Sequence, residues 1–182
     1  MKREPRGIGS NFVCGLKQGD RVKVIGPFGS TFLLPGDANA RLLMICTGTG
    51  SAPFRGFTMR RQRENPALKG RLTLVFGART PSDLPYFGPL AKIPDQFLKK
   101  EFAFSRLAGQ PKMYVQDKLR GMSAEVSDLL QDPAGHIYIC GKRAMEQGVE
   151  EALADIARGA GLDWQSVKGE MREAGRYHVE TY

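Results

Sequence analysis

RLLMICTGTGSAPFRGFTMR, residues 41–60, reads as a buried strand, a glycine turn and the opening of a helix. Leu42, Leu43, Met44, Ile45 and Cys46 form an unbroken apolar run, as expected of a central strand covered on both faces. Thr47, Gly48, Thr49, Gly50 and Ser51 follow, where two glycines free the backbone for a tight turn. Pro53 suits the first turn of a helix, where a missing N–H costs nothing. The unpaired N–H groups of that helix start face outward beyond the strand's carboxyl end, an arrangement that attracts phosphate.

Gly48-x-Gly50 matches the opening of the dinucleotide fingerprint, with Pro53 in the place of its third glycine. An ordinary strand–turn–helix junction produces the same short pattern, so the surrounding chain has to decide. Downstream, apolar strands alternate with amphipathic helices, the mark of a parallel α/β sheet. The expected strands are 41–46, 72–76, 101–104, 136–140 and 177–182. Helices are expected at 52–64, within 86–92, at 115–119, 124–131 and 143–160, and after an Asp163 cap. Met145, Val149, Leu153 and Ile156 recur at helical spacing and, with Trp164, belong to the core. The fold class is therefore α/β, with a five-stranded parallel, doubly wound sheet over residues 41–182.

Residues 1–36 read differently. Gly7 to Val13 is a turn leading into the first turn of a helix, and Val22, Val24 and Ile25 read as a strand between turns. So few strands cannot close a barrel or sandwich. The segment reads as the end of a β domain whose beginning lies upstream, joined to the sheet by a linker at 35–40.

Bulk properties narrow the function classes. At 182 residues, 41% hydrophobic and 25% charged, the composition is that of an ordinary globular protein. No apolar run approaches membrane-spanning length and MKREPRGIG lacks the core of a signal peptide, so a cytoplasmic protein without a membrane partner is expected. Cys14, Cys46 and Cys140 are far apart and odd in number, which favours reduced thiols. The net charge is +8, yet the basic residues are scattered, and a nucleic-acid partner is not expected. An acidic protein or a phosphorylated cofactor suits such a surface.

In open parallel sheets ligands bind beyond the strands' carboxyl ends. Those ends carry Thr47, Gly48, Thr49, Gly50, Ser51, then Gly77 to Thr80 with Arg79, Ser105 and Arg106, Cys140 and Gly141, and Glu180 to Tyr182. Ser105 and Arg106 offer a hydroxyl and a planar fork for a phosphate. Lys112 and Tyr114, on one side of an extended stretch ending at Gln116, offer a cation and a flat ring for a phosphorylated adenosine. A solvated Ser-Arg pair and a half-buried tyrosine are the plainer alternative. Cys140 closes a buried strand, where most cysteines are small hydrophobes, and Gly141 leaves room for a ligand's flat face. His136 and His178 lack partners at ligand spacing, so no metal is expected.

Together these motifs resemble the ferredoxin–NADP reductase family over nearly the whole chain. GIGSNFVCGLKQG, with Ser10, and Gly26-Pro27-x-Gly29 are similar to the end of its FAD domain. Thr47 to Arg55 resembles its nicotinamide and pyrophosphate loop, and Ser105-Arg106 with Lys112-Met113-Tyr114-Val115-Gln116 its 2′-phosphate and adenine site. Cys140-Gly141 resembles its nicotinamide-side cysteine, and Val179-Glu180-Thr181-Tyr182 its C-terminal flavin cap. A segment with Gly77, Arg79, Asp83 and Tyr86 is similar to the diflavin reductases. A finer resemblance is to the branch serving benzoyl-CoA epoxidase, where a ferredoxin segment is fused upstream. The resemblance implies FAD and NADP as cofactors and hydride transfer between them. Onward transfer of single electrons would go to an iron–sulfur carrier or an oxygenase component. It implies that Cys140, Glu180 and Tyr182 act at the reacting centre, and that Ser10, Thr47, Gly48, Thr49, Gly50, Arg79, Ser105, Arg106, Lys112, Tyr114, Gln116 and Gly141 hold cofactor. The family's Arg-x-Tyr-Ser flavin strand is absent from this chain, and the sequence reads as a portion of a longer reductase. A non-catalytic module that binds an NADP-type nucleotide without flavin is the alternative.

Overall fold

Five apolar segments pair into one parallel sheet: β1 (Arg41–Thr47), β2 (Leu72–Ala78), β3 (Leu98–Phe104), β4 (Gly135–Gly141) and β5 (Tyr177–Thr181). Their order is β3-β2-β1-β4-β5, every neighbouring pair parallel. The computed structural model describes residues 8–26, 29, 31–85 and 87–182, with the Ser10 side chain also outside the description. Pro27, Phe28 and Tyr86, which carry parts of two motifs above, lie outside the described residues.

From β1 the chain winds outward through β2 and β3, then returns past β1 to form β4 and β5. The direction reverses between β1 and β4, where such sheets leave a crevice at their carboxyl edge. Alternation along the strands feeds two cores. Leu42, Met44 and Cys46 pack with Leu74, Phe76, Tyr138 and Cys140 under α2 (Ala52–Glu64) and α3 (Phe87–Ala91). Leu43, Ile45, Val75, Ile137 and Ile139 pack under α4 (Val115–Gly121), α5 (Ser123–Gln131), α6 (Arg143–Gly159) and α7 (Trp164–Glu173).

The helices follow their local signals. The stripe Met145, Val149, Leu153 and Ile156 is buried, so α6 lies with its apolar face on the sheet. Asp163 Oδ2 accepts the Ser166 N–H at 2.8 Å and starts α7. Helix α2 stops at Asn65, ahead of Pro66.

Two expectations are corrected. β3 starts at Leu98 rather than 101. Lys99 and Lys100 disguise its first half, because an edge strand tolerates charges that a central one would not. Lys99 is paired there with Glu125 and Glu101. In the N-terminal part, Val22, Val24 and Ile25 form no strand, and they are 45%, 87% and 80% exposed. Strand geometry needs a neighbouring ladder to satisfy its backbone, and the described residues 16–26 have none. The helical start is seen as α1 (Ile8–Gly15).

The stretch 31–37 is fastened to the sheet. Three side chains donate to its carbonyls: His178 Nδ1 to Thr31 O at 2.6 Å, Tyr138 OH to Leu33 O at 2.6 Å, and buried Arg61 Nη2 to Pro35 O at 2.7 Å. Phe32 fits among Phe54, Phe57, Tyr138 and His178. Residues 31–35, which lead into the expected linker at 35–40, are thus held by specific contacts.

Candidate nucleotide site at the carboxyl edge of the sheet

All five strands run the same way, so their carboxyl ends share one edge. At β1 the chain passes into a 3-10 turn (Gly48–Ser51) before α2 begins at Ala52. Fully buried Ser51 fixes this turn, its Oγ lying within reach of Gly48 O (3.1 Å) and Pro85 O (3.2 Å). Gly50 is pressed against β4: a Cβ there would lie 2.2 Å from Cys140 O. Gly141 has φ +153°, and a Cβ would meet Thr47 Oγ1 at 2.6 Å. At Gly50 the floor of the crevice is therefore backbone against backbone, and at Gly141 it is backbone against the Thr47 and Met145 side chains.

Thr47 Oγ1 is buried at this floor and has no hydrogen-bond partner among the described residues. A buried hydroxyl left unpaired is costly, and this one lies where Gly141 of β4 passes closest to β1. Cys140, 7% exposed, sits beside it. Burial, and then the Glu180 carboxylate, push its thiol up to about 11. At neutral pH it is a compact, uncharged wall.

The terminus closes the crevice from the β5 side. The Tyr182 N–H donates to Gly141 O at 3.0 Å, and Arg143 N–H donates to Tyr182 O at 3.2 Å. The Tyr182 ring, 68% exposed, reaches across β4, and its hydroxyl lies 2.9 Å from Thr49 Oγ1. An open cleft runs on from there, lined by Cys140, Arg143, Glu146 and residues 179–182. Thr181 Oγ1 donates to Glu146 Oε2 at 2.6 Å and fixes its far wall.

On the other flank, Ser105 N–H donates to Ala78 O and Arg106 N–H to Arg79 O, extending β3 against the end of β2. Met113 N–H returns to Phe104 O at 3.1 Å, so Lys112 and Tyr114 come back beside Ser105. Arg106 and Lys112 are exposed and Tyr114 is 47% exposed. Asp117 accepts the Tyr114 N–H at 2.9 Å and fixes the start of α4. Gln116 lies against Gly148 of α6, where a Cβ would come within 2.9 Å of its amide nitrogen. Arg79 is paired with Asp83 at 3.2 Å.

Thr47, Thr49, Gly50, Cys140, Gly141 and Tyr182 thus form one connected cluster, with Gly48 opening its turn and Glu180 on the adjoining wall. Ser105, Arg106, Lys112 and Tyr114 form a second group at the end of β3, three strand spacings or about 14 Å from β4. The cleft beside Tyr182 does not extend to Arg106. Arg143 and Glu146 escaped sequence reading. Their one signal is position, in the first turn of a helix directly after a strand-end glycine. Among the described residues no three metal-ligating side chains cluster, and no helix is long and apolar enough to cross a membrane.

Comparison with known proteins gives the family of the chain. The oxidoreductase NAD-binding domain family matches residues 44–151. The chain is 37% identical to a ferredoxin–NADP reductase of Synechocystis sp., over 97% of this chain and 45% of that protein. It is 40% identical to one of Thermosynechococcus vestitus, over 97% of this chain and 48% of that protein. Against the chloroplastic leaf-type isozyme of Nicotiana tabacum it is 36% identical, over 98% of this chain and 52% of that protein. The chain spans about half the length of these curated relatives. By sequence pattern and by the sheet that carries it, the chain belongs to the oxidoreductase NAD-binding domain family, in its ferredoxin–NADP reductase branch.

Proposed function

We propose that this chain is the nucleotide-binding part of an NADPH-dependent, FAD-containing electron-transfer reductase. The observation that carries the reading is the tight packing of Gly50 on Cys140 and of Gly141 on Thr47 at the reversal point of the sheet, where β1 turns into the start of α2. A nicotinamide fits the floor of the crevice there, because its ring needs a flat wall and its carboxamide needs one polar partner. Thr47 Oγ1 supplies the partner, Gly50 and Gly141 the flat bed, and uncharged Cys140 the wall. The turn at Gly48 and Thr49 receives the pyrophosphate at the start of α2.

Arg106, Lys112 and Ser105 hold the 2′-phosphate, and Tyr114 packs on adenine. This group explains a preference for NADP over NAD, since a plain ribose leaves the guanidinium without its charged partner. Arg79 and Gln116 stand at the edges of this half. FAD, when bound, supplies a hydride acceptor that releases electrons singly. The exposed Tyr182 ring offers that group a flat face, and Glu180 places a carboxylate at the same rim.

Residues 1–36, Ser10 included, belong in this reading to the end of an FAD-binding domain. The exposed Ile8, Phe12, Val24 and Ile25 favour it, since apolar surface of that kind suits a further packed domain. The acceptor is an iron–sulfur carrier of the ferredoxin class or an oxygenase component, and the net charge of +8 suits an acidic one.

Calorimetric titration of the chain with NADP⁺ and NAD⁺, followed by NADPH-driven dye reduction with added FAD, tests the proposal. Tighter NADP⁺ binding with flavin-dependent turnover is expected. NADP⁺ binding without any flavin-dependent turnover would instead identify a nucleotide-binding module. Absence of NADP⁺ binding would remove the nucleotide site.

A further inference from the structure

Cys46 and Cys140 are register partners on β1 and β4, the two strands that flank the reversal point of the sheet. Register partners on parallel strands present their side chains to one face. Both thiols accordingly lie in the same apolar cluster, with Met44, Phe54 and Tyr138, and both are free. Among the described residues neither sulfur takes part in a hydrogen bond, and the proposed reaction assigns no task to Cys46. Adjacent strands stand about 4.8 Å apart, inside the Cα span that a disulfide accepts.

We propose that Cys46 and Cys140 form a cross-strand dithiol that hydrogen peroxide converts to a disulfide, and that this bridge lowers the affinity of the rim for nicotinamide nucleotide. The second half of that statement rests on the nucleotide-site reading above; the first does not. Cys140 reacts first, because it is 7% exposed on the wall of the open cleft while Cys46 is fully buried. The Cys140 sulfur attacks one peroxide oxygen, the O–O bond breaks, and Cys140 becomes a sulfenic acid with release of water. The Cys46 sulfur then attacks the Cys140 sulfur, the S–O bond breaks, and the departing hydroxide leaves as water with the Cys46 proton. Two thiols lose two electrons and peroxide becomes two waters.

The same geometry makes the bridge reversible. In-register parallel strands hold their Cβ atoms about 4.8 Å apart, somewhat beyond the roughly 3.5–4.5 Å of a relaxed disulfide. Closing it draws β1 and β4 together, and a strained bridge is readily reduced. There is no slack at that point, since Gly50 already touches the Cys140 carbonyl and Gly141 touches Thr47. The movement is therefore passed to Thr47 and Gly141, the two positions against which nicotinamide rests. Burial and Glu180 hold Cys140 protonated at neutral pH, so oxidation is slow there and accelerates as pH rises toward about 11.

The test treats the whole chain with hydrogen peroxide, alkylates remaining thiols, and maps peptides by mass. A Cys46–Cys140 linked peptide, removed by dithiothreitol, is expected, formed faster at pH 9 than at pH 7 (about two pH units higher, where more of a high-pKa thiol ionises). Cys14→Ser should leave the bridge intact, and Cys46→Ser should trap Cys140 as sulfenic acid. The oxidised chain should bind NADP⁺ roughly tenfold more weakly than the reduced chain. Cys46 remaining alkylatable while Cys140 proceeds to sulfinic acid would overturn the dithiol, as would a bridge to Cys14. A bridge that leaves NADP⁺ affinity unchanged would overturn its effect on the rim. Failure of the reduced chain to bind NADP⁺ at all would count against the nucleotide site and not against the thiol chemistry.

Discussion

Replacing Gly50 by alanine adds one methyl group at the point where the β1 turn crosses β4. That methyl would sit 2.2 Å from Cys140 O and 2.6 Å from its carbonyl carbon. An ordinary C···O approach is about 3.3 Å, so the two backbones must part by roughly 1 Å. Neither side can yield by rotating a side chain, because both atoms met are main chain. Overpacking of this kind costs about 1–3 kcal/mol, and a chain of this size loses roughly 2–4 °C in Tm per kcal/mol. Gly50→Ala should thus lower Tm by about 2–12 °C. Gly56, inside α2, is the control: nothing lies within 4 Å of an added Cβ. Alanine is favoured over glycine in a helix interior, and Gly56→Ala should raise stability by up to about 1 kcal/mol. Thermal and urea denaturation of both variants give the comparison. NADP⁺ binding should fall in Gly50→Ala and hold in Gly56→Ala. A Gly50→Ala chain as stable as the parent would refute the backbone contact on which the floor of the site is built.

Arg106→Ala should weaken NADP⁺ and 2′,5′-ADP by about 2 kcal/mol, near thirtyfold, because a charged hydrogen bond to phosphate is lost. NAD⁺ should change little, and equal losses for both nucleotides would remove the phosphate role of Arg106. Glu180→Gln removes the carboxylate that helps hold the Cys140 thiol up at about 11. Alkylation of Cys140 near neutral pH should therefore quicken, and an unaltered pH profile would show burial acting alone. Burial, with His178 and Arg176 nearby, depresses His136 to about 4 in the folded chain. The unfolded chain, with an ordinary histidine near 6.5, takes up that proton first. Stability is then full above about pH 6.5 and declines as pH falls toward 4. His136→Phe should flatten the decline in urea midpoints between pH 7 and 5, and a slope equal to the parent's would place the acid sensitivity elsewhere.

Much of the sheet is legible because its signals are local. The apolar run at 42–46, the glycines after it and Pro53 each act within a few residues, so β1, the turn and α2 are found together. The first half of β3 is not, because Lys99 and Lys100 look like loop residues until their edge position and the partners Glu125 and Asp95 are known. Val22, Val24 and Ile25 mislead in the opposite way: alternation favours a strand, yet no described neighbour pairs with it. At the site, strand-end residues can be read off once strand direction is known. Contacts that cross strands cannot, and these include Thr49 with Tyr182, Gly50 on Cys140, and Cys46 beside Cys140. Arg143 and Glu146 enter the cleft only because the terminus folds back along Gly141, which no short-range pattern announces.

The central claim, that one phosphorylated nicotinamide nucleotide spans the carboxyl edge from β3 to β5, is tested most directly by amide NMR of the labelled chain during titration with NADP⁺. Shifts are predicted in two groups, at 47–50 with 140–141 and 182, and at 105–106 with 112–116, saturating at the same nucleotide concentration. Shifts confined to the opposite edge, around Arg41, Arg71 and Leu98, or two groups that saturate independently, would contradict it.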